Sequence, residues 1–228
     1  MCLREEEKMK DIFLIRHGRQ SSKLCNTDVV LDDAGRKQAE LVGKRLVSYG
    51  IEKIYSSELL RAKETAQIAN QSLQIPYEML PDMHEIDFGG LTGKTDEEIK
   101  CIYGDFLAER ALHREDMAYP DGECGADVAR RVMPQLQYVC EQPEERVAIV
   151  THGGVIRSIC AEILQTEQRN KLKFAMSLEN TSITHLIYDS TRKIFFLERF
   201  NDFAHLEGNP ELLRGGWKTS LERRECNQ

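Results

Sequence analysis

The chain has 228 residues, 41% of them apolar and 30% charged, with a formal charge of −7. That is enough for one substantial α/β domain with a real core and a wet surface, and the acidic balance without a dense basic patch argues against nucleic acid as a partner. No apolar run approaches membrane-spanning length and Met1 to Lys10 is charged where a secretory signal would be apolar, so no membrane association and a cytoplasmic location are expected.

Taken in order, Ile12 to Ile15 is a short apolar run rich in β-branched and aromatic residues, which predicts a strand buried on both faces. It ends in Arg16, His17 and Gly18. Ligands of open α/β sheets sit beyond the carboxyl ends of the strands, so these residues would stand at the mouth of a site. Gln20 to Val30 is polar and aperiodic, a loop over that mouth, and Ser21, Ser22, Lys23 and Asn26 are candidate substrate contacts. From Asp32 or Asp33 as N-cap a helix is expected to Tyr49, ended by Gly50. Ile51 to Tyr55 predicts a second strand, closed by Ser56 and Ser57. The next helix carries Leu59, Ala62, Ala66, Ala69 and Leu73 at helical spacing, with Glu58 and Arg61 in its first turn, so Arg61 lies beside the same mouth.

Tyr77 to Leu80 reads as an edge strand between two prolines. The turn-rich stretch Met83 to Gly93 mixes carboxylates with glycines, and either Glu85 or Asp87 could be a positioned acid. Thr95 to Met117 predicts one or two helices, and a further helix from Cys124 to Cys140 contains Pro134, which should kink it. The segment from Thr92 to Gly122 is therefore expected as a helical insertion capping the site of a single domain spanning residues 1–228. Val147 to Val150 is a second buried-strand run, ending in Thr151, His152, Gly153 and Gly154. Free amides where Gly153 opens a helix favour an anion beside His152. Ser182 to Tyr188 and Lys193 to Phe200 predict a hairpin, and the end of the chain from Gly208 is polar and expected to be partly loose. The seven cysteines, Cys2, Cys25, Cys101, Cys124, Cys140, Cys160 and Cys226, have no metal-type spacing and read as reduced thiols, several buried in helices.

Two arginines, two histidines, a helix amino end and a carboxylate at one sheet end suit a phosphate. Arginine forks neutralise it without a metal, a neutral imidazole can attack phosphorus, and a carboxylic acid can protonate the leaving alkoxide. A metal hydrolase using His17, His152 and Glu85 as ligands is the less favoured reading, because the arginines would repel the cation and no His-x-x-x-His pair occurs. A phosphate-binding regulatory module without turnover is the other alternative.

Several motifs, in order, resemble the phosphoglycerate mutase-like branch of the histidine phosphatase superfamily. They are Arg16-His17-Gly18, Leu31-Asp-Asp-Ala-Gly-Arg-Lys-Gln-Ala39, Ser57-Glu-Leu-Leu-Arg-Ala-Lys-Glu-Thr-Ala66, Glu85 ahead of Asp87-Phe-Gly-Gly-Leu-Thr-Gly93, Pro120-Asp-Gly-Glu-Cys-Gly-Ala-Asp-Val128 and Thr151-His-Gly-Gly154. The resemblance implies a three-layer α/β/α sandwich with a mostly parallel sheet and a helical lid. It also implies His17 as nucleophile, Arg16, Arg61 and His152 as ligands of the phosphoryl group, and Glu85 rather than Asp87 as proton donor, with no metal and no cofactor. Many relatives follow Arg-His-Gly with Glu-Thr or Glu-Ser and soon an Asn. Here Arg19, Gln20, Ser21 and Ser22 follow and the nearest Asn is Asn26, so specificity does not transfer; Arg19, Ser22 and Asn26 stay candidate substrate contacts. The stretch between Glu85 and His152 is shorter than in the glycolytic mutases and lacks their Arg-His-Tyr. The expectation is hydrolysis of a small phosphorylated metabolite, with mutase-type transfer as the alternative; Arg19, Lys23, Arg110 and Arg114 could contact a second anionic group on it.

Overall fold

The computed structural model describes residues 9–214. Cys2, Cys226, most of the charged leader and the end of the tail lie outside the described residues. Strand β1 (Met9–Arg16) is followed by helix α1 (Asp33–Val47), β2 (Lys53–Ser56), α2 (Leu60–Leu73) and the short β3 (Tyr77–Met79). Then come α3 (Asp96–Arg110), α4 (Gly125–Glu141), β4 (Arg146–Thr151), α5 (Gly153–Ile163) and the hairpin β5 (Ile183–Asp189) and β6 (Ile194–Asp202). The six strands form one sheet in the order β3-β2-β4-β1-β5-β6. The first four are parallel, and β5 and β6 close one edge antiparallel.

The alternation of side chains along β1 explains the layers. Ile12 and Leu14 join a core on one face with Val128, Val132 and Leu136 of α4 and Val155, Ile156 and Ile159 of α5. Phe13 and Ile15 join a second core with Val42 and Leu46 of α1 and Ala62, Ala66 and Ala69 of α2. Both faces of β1 and β4 are therefore covered, as a parallel sheet requires. Each fully buried Ile or Leu contributes roughly 1.5–3 kcal/mol of apolar burial, so a polar residue at Ile12 or Ile149 would remove a large share of the marginal stability of the domain. The result is the expected three-layer α/β/α sandwich.

Local details depart from the expectations in several places: helix α3 ends at Arg110, short of the expected Met117, and α1 at Val47, short of Tyr49. Strand β2 begins at Lys53 rather than Ile51, although Ile51 is buried just ahead of it. Helix α2 begins at Leu60, so Glu58 precedes the helix instead of lying in its first turn, and its Oε1 accepts a hydrogen bond from His84 Nδ1 at 2.8 Å. Helix α4 runs across Pro134 without a break; the proline sits on the exposed face, where the carbonyl that loses its partner can turn to water. The end of the chain is not loose from Gly208 as far as Arg214. Leu206, Leu212 and Leu213 are buried together with Ala34 and Leu41 of α1, and Gln38 Nε2 donates to the Leu212 carbonyl at 2.7 Å.

Candidate active site

Three parallel strands end side by side, and each delivers one piece of the site. Arg16 of β1 pairs with Thr151 of β4, and Ser56 of β2 pairs with Val150. The ladders continue one step further, with His17 N–H donating to Thr151 O and Ser57 N–H to Val150 O, both at 2.9 Å. His17, Ser57 and His152 thus sit on extended backbone fixed by neighbouring strands. Arg61 arrives from the first turn of α2, only 2% exposed.

The hydrogen bonds define the state of His17. Its Nδ1 lies 2.7 Å from Gly18 O, a carbonyl that can only accept, so Nδ1 carries the proton. On the other side Arg61 Nε, which can only donate, reaches Nε2 at 3.3 Å. Both contacts demand the same tautomer, with a lone pair on Nε2. Burial, Arg16 and Arg61 together hold the imidazole pKa well below its usual value, so the ring is neutral. Asn180 Nδ2 donates to His17 O at 2.9 Å and fixes its backbone from the far side.

His152 lies beside it, ring centroids 5.1 Å apart. Its Nε2 meets Ser57 Oγ at 2.8 Å, while its buried Nδ1 and the buried Nε of Arg16 have no hydrogen-bond partner among the described residues. Buried polar atoms are ordinarily paired, and these two orphans flank His17, where ligand oxygens could satisfy them. Arg16 donates through NH1 to Leu178 O. Burial first, then Arg214 and Arg157, lower its pKa to about 9; the cluster is short of negative charge.

Glu85 supplies the carboxylate. Its Oε1 accepts from Gly154 N and from its own neighbour Ile86 N, both at 2.9 Å. It sits against the amino end of α5, where free amides favour an anion. A side chain on Gly154 would place its Cβ 2.4 Å from Glu85 Oε1, so glycine is what admits the acid. Glu85, Arg16, Gly154, Arg110, Arg157 and Arg214 line one cavity of about 360 Å³. A second, of about 650 Å³, opens past His17 along Arg19, Ser22, Asn26 and Asn180.

Arg16, His17, Arg61, Glu85, His152 and Gly153 come together as expected. Of the loop residues, Arg19 is tied to Asp32 by Nε at 2.7 Å, and Ser22 Oγ accepts from Leu24 N at 3.1 Å. Asn26 Oδ1 accepts from Arg61 NH2 at 3.0 Å, so it braces that guanidinium. The insertion forms a wall: Arg110 stacks on Tyr119 at 4.2 Å, and Gly93 N and Lys94 O pair with the backbone of Cys25. Arg114 instead pairs with Glu109, exposed. Sequence reasoning missed Arg157, Arg214 and Asn180. Arg157 could have been found, since it lies one helical turn after Gly153 on the same face; the others carry no periodic signal.

A neutral imidazole with a lone pair on Nε2, two arginines, a second histidine and a carboxylate at the carboxyl end of a parallel sheet suit the chemistry of phosphate esters. The model of the histidine phosphatase superfamily (branch 1) matches residues 12–202, and the chain belongs to that superfamily. Among its relatives is the phosphoglycerate mutase-like protein 4 of Arabidopsis thaliana, 31% identical over 89% of this chain and 90% of that protein. Another is a metal-independent phosphoserine phosphatase of the same plant, 29% identical over 92% of this chain and 89% of that one. The solved structure of Bacillus stearothermophilus YhfR superposes with a TM-score of 0.76 at 27% identity, covering 86% of this chain and 99% of that one.

Proposed function

We propose that the protein hydrolyses small phosphate monoesters, without a metal or cofactor, through a phosphohistidine on His17. The observation that carries this reading is the doubly specified tautomer of His17, whose Nε2 lone pair is held beside Arg61. The phosphoryl oxygens take the orphaned donors of Arg16 and His152 together with Arg61 and the Gly153 amide. His17 Nε2 then bonds to phosphorus as the P–O ester bond breaks, and Glu85 gives its proton to the departing oxygen. In the second half Glu85 takes a proton from water, whose oxygen attacks phosphorus; the N–P bond breaks and inorganic phosphate leaves. No step needs a cation, because the guanidiniums neutralise the charge.

The cavity beside Glu85 also supports a class of substrate. Arg110, Arg157 and Arg214 face it, and none of the three is paired with a carboxylate among the described residues. That favours esters whose alcohol portion bears a further anionic group, a class to which phosphoserine and phosphoglycerate belong. Such soluble metabolites fit a cytoplasmic enzyme. Among the described residues no helix is long and apolar enough to cross a membrane, and five cysteines are free thiols.

The test is a panel of phosphorylated metabolites and aryl phosphates, assayed with chelator present for both released phosphate and positional isomers. Phosphate release should survive chelation, and an acid-labile phosphoenzyme should form in the wild type and be lost in His17→Ala. Conversion of 3-phosphoglycerate to 2-phosphoglycerate faster than any phosphate release would establish the mutase instead.

A further inference from the structure

Glu85 lies in a stretch, residues 80–88, that belongs to no helix or strand, yet a proton donor must be held to within a fraction of an ångström. Thr151 Oγ1 donates to Met83 O at 2.8 Å near the start of the stretch, and three of its carbonyls are gathered by one guanidinium on α4. Arg131 NH1 donates to Asp82 O and, at 2.9 Å, to His84 O. Its NH2 donates to Glu85 O at 3.1 Å. The remaining two hydrogens go to one carboxylate, Nε to Glu123 Oε1 and NH2 to Glu123 Oε2, both at 2.8 Å. All five N–H groups of Arg131 are therefore committed, three of them to the turn that carries the acid.

Glu123 completes the grip from the other side. Its Oε2 also accepts from Asp87 N at 2.9 Å, and its own backbone N donates to Asp87 O at 2.9 Å. The two turns touch so closely that a Cβ on Gly122 would stand 2.4 Å from Asp87 O, and one on Gly89 2.1 Å from Pro120 O. Both charged side chains are mostly shielded, at 14% and 21% exposure. A bidentate pair out of water is costly to half-remove. Burial raises the pKa of the Glu123 carboxyl, but Arg131 and the Asp87 amide outweigh it and hold the net value low, so the pair stays charged.

We propose that Glu123 and Arg131 are positioning residues for the proton donor, brackets on either side of Glu85 that set where its carboxyl meets the leaving oxygen. Neither lines the two cavities described above, so neither is placed to touch substrate. The proposal rests on Glu85 being the acid. It assigns a purpose to the Pro120-Asp-Gly-Glu-Cys motif, which the phosphoryl chemistry itself leaves unused.

The experiment compares p-nitrophenyl phosphate, whose leaving group needs no proton, with phenyl phosphate, whose poorer leaving group does. Arg131→Gln should lower kcat/KM for phenyl phosphate on the order of 10- to 100-fold, part of what general acid catalysis can supply, and for the nitrophenyl ester by no more than about threefold. In a Glu85→Gln background the same substitution should cost no further selectivity, because the group it positions is gone. Equal losses on both esters, or a selective loss as large in the Glu85→Gln background as in the wild type, would overturn the proposal. Should Arg131→Gln melt below assay temperature, Glu123→Gln, which keeps an acceptor for Arg131, is read by the same criterion. If Glu85→Gln by itself shows no leaving-group dependence, the proton-donor assignment falls and this proposal with it, while loss of turnover in His17→Ala would still support the phosphohistidine.

Discussion

As the proposed nucleophile, His17 is under opposing demands: it must be buried among cations to meet a phosphate and must remain uncharged to attack it. The structure meets both by letting the cations suppress protonation, since burial, Arg16 and Arg61 all push the imidazole pKa below its usual value. A base with a depressed pKa stays neutral as pH falls through 6.5, so the nucleophile is available well into mildly acidic conditions. Nitrogen NMR of the free enzyme should therefore show His17 neutral at pH 6, with a pyrrole-like Nδ1 and a pyridine-like Nε2. A ring that titrates near 6.5, or the opposite tautomer, would remove the central support for the proposed mechanism. At this scale the sequence was informative where chemistry and spacing coincide, as at Arg16-His17 and Thr151-His152. It was silent on Asn180, which grips the His17 carbonyl from an aperiodic segment brought there only by tertiary folding.

Helix α1 shows how one element serves the site from both ends. At its start Asp32 caps the Gly35 amide at 2.7 Å and pairs with Arg19, and the buried Gln38 bridges Arg19 N and Leu212 O. The N-cap was legible from Asp32-Asp33 ahead of a periodic run; the Gln38 bridge was not, because a glutamine on a helix ordinarily reads as surface. Near its end Arg45 binds Asp202 and donates to His205 Nδ1 at 3.3 Å. His205 Nε2 meets Thr181 Oγ1 at 3.1 Å, and Thr181 adjoins the Asn180 that holds His17. Burial, followed by Arg45, lowers the His205 pKa to about 4, with Asp202 opposing. Between about pH 4 and 6.5 the unfolded chain binds the proton that the folded chain refuses, so folding stability must fall as pH drops through that window. Urea unfolding across that range should show the slope, and His205→Gln should reduce it, leaving the share of His17 and His152, whose pKa values are likewise depressed. An unchanged slope in the variant would mean that other groups control the acid sensitivity.

For the molecule as a whole, the parallel core was legible because strands buried on both faces are continuous apolar runs, and the motifs punctuate their ends. The docked segment up to Arg214 was not, since three leucines spread over residues 206–213 make no periodic pattern and gain meaning only against α1. That docking has an electrostatic consequence, because it brings Arg214 to the mouth of both cavities. The chain carries a net charge of −7, which taken alone would repel an anionic ester. The mouth is nonetheless ringed by Arg16, Arg110, Arg157 and Arg214, with Glu85 as the one carboxylate among the residues lining the smaller cavity. Which field governs encounter depends on distance: at about 0.1 M ionic strength charges more than ~10 Å away are largely screened, so the local arginines should dominate the approach while the distant acidic surface is muted. Substrate capture is then an attraction that salt weakens. Raising NaCl from about 20 to 200 mM should lower kcat/KM on the order of threefold for a phosphate ester bearing a second anionic group, and less for p-nitrophenyl phosphate, with kcat nearly constant. A rise of kcat/KM with salt would show that the net negative charge controls encounter, and a decline equal for both esters would remove the case for Arg110, Arg157 and Arg214 as contacts for a second anion.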